Sequence, residues 1–213
     1  MFKSFITASV FSVSLAGVAL AGSPQPVEVS AVSVASPHTT NWGGFYIGGQ
    51  VSASTGTGTV YNNDVLDPLF SGTLTGKQLG VFAGYNFNVG SFVLGGEAAY
   101  LKGQIAFDAY PAYYVDNMLD LKLRAGKSFG PVLVYGVVGG SFSHYQRNTF
   151  ETISTSGFNY GAGVDYQVSD RIFVGLEYLA RDLMSAPSTR RIVPKTNYRH
   201  VLGSVQLRVG MRF

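Results

Sequence analysis

Cysteine is absent from the 213 residues, which removes disulfide frameworks, thiol nucleophiles and Cys-ligated zinc or iron–sulfur sites together. Charge is also scarce: Asp, Glu, Lys and Arg make up 13% of the chain, about half the usual quarter of a soluble globular domain. The net charge of +3 comes from cations spread along the sequence, with no basic run before Arg190. Nucleic-acid binding, which needs Lys and Arg clustered on one face or tail, is therefore not expected. No apolar stretch long enough for a membrane helix follows residue 21, so beyond that point only a closed β-barrel could span a bilayer. What is plentiful is glycine, 27 residues, and aromatic side chains, 14% of the chain. With 46% hydrophobic residues, this mixture disfavours disorder, and the length fits one domain.

The N-terminus reads as an address. Lys3 precedes an uncharged apolar run from Phe5 to Leu20, and Ala19-Leu20-Ala21 before Gly22 forms an A-x-A cleavage site, so residues 1–21 read as a secretory signal peptide. Residues 22–41 carry Pro24, Pro26 and Pro37 among Ser, Val and Thr, without a periodicity that could pack, and read as an extended periplasmic linker. The remainder, 42–213, is the folded domain.

Throughout that domain, segments of roughly 10 to 13 residues alternate apolar with Gly, polar or charged positions, the pattern of a membrane barrel. In the last segment Val201, Val205, Leu207, Val209, Met211 and Phe213 share one face with Gly203, against Ser204, Gln206, Arg208 and Arg212. Ile172, Val174, Leu176, Tyr178 and Ala180 oppose Glu177 and Arg181; Leu119, Leu121, Leu123 and Ala125 oppose Asp120, Lys122 and Arg124. Phe92, Leu94, Ala98 and Tyr100 oppose Glu97, and Phe45, Ile47, Val51 and Ala53 oppose Tyr46, Gln50 and Ser52. The segment from Val132 to Tyr145 is apolar on both faces. Placing Val132, Val134, Val138 and Phe142 outward turns Ser141 and Ser143 inward.

The expected fold is all-β, an eight-stranded antiparallel up-and-down transmembrane barrel. Val89-Gly90, Gly130-Pro131 and Ser169-Asp170 read as tight turns, whereas 54–76, 106–116, roughly 146–155 and 182–199 read as long loops. Short turns on one rim and long loops on the other match outer-membrane barrels, with both termini periplasmic. Phe45, Phe87, Phe92, Phe129, Tyr166 and Phe213 form one aromatic level and Tyr100, Phe142, Phe158 and Tyr178 a second. A soluble lipocalin-like barrel alternates equally but points its apolar face inward. The balance of the polar face, Glu97, Asp120, Asp165 and Glu177 against Lys122, Arg124, Arg181, Arg208 and Arg212, favours a lumen in which charges pair.

Asn41-Trp42-Gly43-Gly44-Phe45-Tyr46-Ile47-Gly48, Gly80-Val81-Phe82-Ala83-Gly84-Tyr85-Asn86, Gly95-Gly96-Glu97 and the ending Val209-Gly210-Met211-Arg212-Phe213 resemble the small outer-membrane β-barrel proteins of α-proteobacteria, often labelled porin family. The resemblance covers nearly all of 41–213. It implies a terminal strand read at Phe213 by the outer-membrane assembly machinery, structural, tethering or permeability roles at the surface, no catalytic residues and, in some relatives, hemin binding.

Of the three histidines, His38 lies in the linker; His144 and His200 fall near outer strand ends, beside Tyr145 and Tyr198. Only if strands five and eight came close could the two flank one haem-type ligand. Ser143-His144 is the only nucleophile–base candidate, and neighbours in a strand point to opposite faces. Asp64 and Asp67 lack the further oxygen ligands of a calcium loop. No catalytic, cofactor or metal site is expected. Arg190, Arg191, Lys195 and Arg199 form the basic loop; on an outer rim they face lipopolysaccharide phosphates or an acidic partner, which Arg matches with a bidentate fork. The function read from the sequence is a structural or interaction protein of the bacterial outer membrane, supporting envelope integrity and surface contacts with a closed lumen. The alternatives are a small diffusion pore and a hemin-binding surface protein.

Overall fold

The alternation becomes eight strands in a computed structural model that describes residues 41–62, 65–148, 151–185 and 196–213. They are β1 (Gly44–Asn62), β2 (Val65–Val89), β3 (Phe92–Phe107), β4 (Tyr114–Phe129), β5 (Val132–Asn148), β6 (Glu151–Gln167), β7 (Ile172–Ser185) and β8 (Thr196–Arg212). Every strand pairs antiparallel with its sequence neighbours, and β8 returns to β1 from Tyr46↔Arg212 to Asn62↔Thr196, closing the barrel. The signal and linker segments of the sequence reading lie outside the described residues.

The apolar face is outside. Leu79, Val81, Leu123, Phe158 and Leu207 are each more than half exposed, while Glu97, Asp120, Lys122, Arg124, Asp165, Glu177, Arg181 and Arg208 are buried. A soluble barrel would invert this, so the outer surface is built to meet hydrocarbon. β5 follows the serine parity: Val134, Val138 and Phe142 are exposed, and Leu133, Tyr135, Ser141 and Ser143 point inward. Both aromatic levels face outward, from Phe45, Phe87 and Phe213 at one end to Tyr100, Phe158 and Tyr178 at the other.

The turns differ in detail from the sequence reading. Val89 pairs with Phe92 and Phe129 with Val132, so the first two-residue turn is Gly90-Ser91, one residue later than expected. Gly90 and Gly130 hold φ of 63° and 60°, while among the described residues no other residue type has positive φ. Glycine first with a conventional second residue is the two-residue hairpin geometry that suits strand twist.

Two of the expected long loops are strand instead. β1 and β2 stay paired up to Asn62↔Val65, through Thr55↔Thr75, Thr57↔Thr73 and Thr59↔Ser71, and β5 pairs with β6 up to Asn148↔Glu151. These segments lack apolar alternation because above the bilayer the outward face meets water. Threonine, β-branched and polar, suits a pleated wall in that setting.

Inward glycines give the lumen its room. A Cβ at Gly163 would lie 2.5 Å from the Tyr135 hydroxyl, and one at Gly175 would lie 2.1 Å from Asp165 Oδ1. Large lumen side chains therefore lie flat against bare backbone, the small-against-large arrangement of a filled small barrel.

Candidate functional site

Six charged side chains from five strands converge inside the barrel. Lys122 Nζ stands 2.8 Å from Glu97 and 2.5 Å from Glu177; Arg124 reaches Glu97 at 3.3 Å and Asp165 at 2.7 Å. Arg208 donates to Glu177 at 2.6 Å and to Glu97, and lies 3.9 Å from Asp165. Side-chain exposure is 2% or less throughout. At such burial each ion needs several partners, because desolvation otherwise exceeds the pairwise attraction.

Two phenols supply part of that need. Tyr46 donates to Glu97 at 3.0 Å and accepts from Arg124 at 3.0 Å. The Tyr135 hydroxyl lies 3.2 Å from Asp165, 3.1 Å from Glu177 and 3.2 Å from Arg208. The guanidinium of Arg124 lies 3.9 Å from the centre of the Tyr135 ring, and that of Arg208 lies 4.2 Å from the Phe82 ring, where the ring faces attract a cation. The sequence reading named none of these three rings as a partner. Their signal was parity: Tyr46 sits opposite Phe45 and Ile47, and Tyr135 shares the face of Ser141 and Ser143.

A second pair lies nearby. Arg181 forks onto Asp120 at 3.0 and 2.6 Å and also donates to Ser204 at 2.6 Å. Ser141 donates to Asp120 at 2.5 Å and receives from Asn159 at 2.8 Å. The two groups hold four carboxylates and four cations, so together they are neutral. Arg212, grouped with them by its inward parity, stands apart at the short-turn mouth. It donates to the Asp170 carbonyl at 2.8 Å, with its guanidinium 5.9 Å from the Trp42 ring centre. As the last strand residue, it has run out of barrel.

Buried apolar side chains lie on both sides of the charges. Toward the short turns Trp42, Tyr46, Phe82 and Phe173 stack with ring centres 5.9–6.2 Å apart. Toward the other rim Leu74, Ile105, Leu179, Leu183 and Leu202 are at most 1% exposed. Along β8, β1 and β2 runs an uncharged polar file, Gln206, Gln50, Ser52 and Gln78. The amides of Gln206 and Gln50 have no protein partner among the described residues.

The outer surface carries its own charges just beyond the apolar band. Lys77 and Lys102 face outward and are exposed, on adjacent strands where Leu79 pairs with Lys102; the sequence reading passed over both. Arg199 forks onto Asp182 at 2.9 and 2.6 Å, both side chains about two-fifths exposed. Arg190, Arg191 and Lys195 lie outside the described residues. His144 faces outward, 2.8 Å from Asn117. His200 is inward and buried, 4.9 Å from the Tyr145 ring. The two histidines thus stand on opposite sides of the wall and do not flank one space.

Phe213 lies at the short-turn edge, exposed, its ring 6.0 Å from Phe45 and its N–H donating to the Phe45 carbonyl at 2.9 Å.

Comparison with known proteins agrees with this architecture. The chain is 29% identical over 150 residues to the 22 kDa outer membrane protein of Rhizobium leguminosarum bv. viciae, covering 68% of this chain and 66% of that protein, just under two thirds of the relative's length. The crystal structure of the outer membrane protein OprG from Pseudomonas aeruginosa matches with a TM-score of 0.51 at 13% identity, over 80% of this chain and 96% of that one. Neisserial surface protein A matches with a TM-score of 0.44 at 14% identity, over 79% and 97%. Residues 27–213 match the outer membrane protein beta-barrel domain. A closed barrel with an apolar exterior and a neutral charged interior, matched over most of its length, belongs to the outer membrane β-barrel family and resides in the bacterial outer membrane.

Proposed function

We propose that the protein is a structural and interaction barrel that supports the envelope and contacts the surface leaflet, with a lumen closed to bulk solutes. The neutral, fully buried charge cluster carries this reading: eight strands leave an interior just wide enough for side chains, and Glu97, Lys122, Arg124, Asp165, Glu177 and Arg208 occupy it with aromatic and aliphatic layers on either side. Refolded protein in a planar bilayer is expected to show no steady conductance on the nanosiemens scale of water-filled barrels of about 16 strands. A steady open current of that size overturns the reading. The amides of Gln50 and Gln206, without a protein partner among the described residues, favour a second reading, a narrow diffusion path for small ions, which the same recording would show as small, brief currents.

Lipopolysaccharide is the proposed outer partner. Lys77 and Lys102 stand directly beyond the lipid-facing band, where phosphates of the surface leaflet would lie, with Arg199 also exposed; Arg190, Arg191 and Lys195, outside the described residues, add three cations in the sequence just before β8. Each cation near an anionic lipid surface contributes about 1 kcal/mol, screened by salt. Changing Lys77, Lys102, Arg190, Arg191, Lys195 and Arg199 to Gln is expected to weaken lipopolysaccharide binding and flatten its salt dependence while circular dichroism keeps its barrel signature. Equal binding of parent and variant at low salt discards the proposal.

The proposal assigns Phe213 to the assembly machinery, as the exposed aromatic terminus of the closing strand. It includes no catalytic role: Ser143 points into the lumen and His144 away from it. Hemin is left aside because His144 and His200 cannot share a ligand.

A further inference from the structure

The outer end of the barrel contains a cavity that the charged lumen does not use. Its volume is about 290 Å³, and Val60, Phe70, Phe107, Tyr110, Tyr113, Tyr145 and Tyr198 line it. The rings form a continuous collar. Tyr113 meets Tyr110 at 6.2 Å, Tyr110 meets Phe70 at 5.7 Å and Phe70 meets Phe107 at 5.8 Å. Phe107 then meets Tyr145 at 6.5 Å, and Tyr145 meets Tyr198 at 5.4 Å. Several contacts are edge to face, at 69°, 87° and 77°, the packing aromatic pairs prefer.

Two details show the collar to be built into the wall. Gly58 and Gly72 make way for it: a Cβ at Gly58 would lie 2.3 Å from Phe107 Cζ, and one at Gly72 would lie 3.0 Å from Phe70 Cζ. Behind the rings sits His200, 4.9 Å from Tyr145 and 6.4 Å from Phe107. The residue is 1% exposed, and neither imidazole nitrogen has a protein partner among the described residues. Burying an imidazole with nothing to bond is costly, and a group from a bound molecule is one means of satisfying it.

We propose that the collar binds small uncharged aromatic molecules of one or two rings that carry a hydroxyl or ring N–H, and that this polar edge passes between Phe107 and Tyr145 to His200, which lies behind the lining. Size and charge set the class. An apolar cavity of about 150 Å³ holds benzene, so this space takes one substituted ring or a fused pair and excludes a tetrapyrrole. No lining side chain bears a formal charge, so an anionic ligand would lose its hydration without compensation; a cation, which ring faces attract, is the competing outcome that benzyltrimethylammonium tests. A neutral imidazole offers one donor and one acceptor, enough for a phenol or an indole-type N–H.

The test uses full-length protein in lipid nanodiscs, with empty nanodiscs subtracting partition into lipid, and 2-naphthol, naphthalene, benzyltrimethylammonium and hemin as probes. Saturable, one-to-one binding of 2-naphthol is expected. His200→Leu should weaken 2-naphthol by up to about tenfold, the loss of one hydrogen bond, with naphthalene unaffected. Val60→Phe, which fills the cavity from β1, should abolish binding of both. Binding of 2-naphthol no greater than to empty nanodiscs overturns the proposal, as does equal binding to parent and Val60→Phe. Tighter binding of benzyltrimethylammonium or hemin at this site overturns the ligand class. The parent measurement alone is decisive if either variant fails to fold.

Discussion

Arg208→Ala is expected to lower the unfolding free energy of the barrel in lipid by about 3–5 kcal/mol, the loss typical of breaking a buried ion pair from one side. Arg208 is bonded to Glu97 and Glu177 and shares the Tyr135 hydroxyl. Its removal leaves two carboxylates short of donors in a space from which water is excluded. Arg199→Gln is the matched comparison: it breaks a pair with both partners about two-fifths exposed and should change stability by 1 kcal/mol or less. The single tryptophan, Trp42, buried against Phe173 at 6.1 Å, reports both transitions by fluorescence during urea titration. An Arg208→Ala barrel within 1 kcal/mol of the parent would show that the cluster contributes little.

Leu121→Arg should be nearly as damaging from the other side of the wall. Leu121 is 46% exposed and lies midway along the outward apolar run of β4, between Asn117 and Lys127. Arginine at the bilayer midplane costs a transmembrane barrel about 2–4 kcal/mol and near the interface about 0–1, so Asn117→Arg should be close to neutral. Equal effects of the two substitutions in lipid would show that Leu121 does not face hydrocarbon. This depth dependence separates a membrane barrel from a soluble one more sharply than strand content can.

Most of the barrel was legible because the bilayer imposes a strict period of two wherever a strand crosses it. Leu119 to Ala125 and Val201 to Phe213 show their outward faces in the sequence alone, and on β5 two serines were enough to choose between apolar faces. Legibility ended where the lipid ended. Thr55, Thr57 and Thr59 are strand, yet their outward neighbour is water, so nothing demanded an apolar alternation. Within the lumen, parity identified which charges point inward but not which of them meet. That depends on tilt and on positions such as Gly163 and Gly175, which admit Tyr135 and Asp165. Arg212 has the right parity and the wrong height. The aromatic collar was hidden more thoroughly, since its rings come from β2, β3, β5, β8 and the β3–β4 connection.

The place of Arg208 in the chain bears on how the barrel is made. It lies on β8, the strand that closes the barrel onto β1, and β8 contributes no other cation to the central cluster. Before β8 docks, Glu97, Asp165 and Glu177 face only Lys122 and Arg124, so a seven-stranded intermediate harbours one surplus negative charge inside a wall meant for oil. Insertion strand by strand would carry that imbalance into the bilayer, whereas a chain that curls shut at the membrane edge neutralises it in one event. Completeness is thereby checked by electrostatics: a chain truncated before Arg208 lacks an open edge's last partner and the ion that makes its interior tolerable.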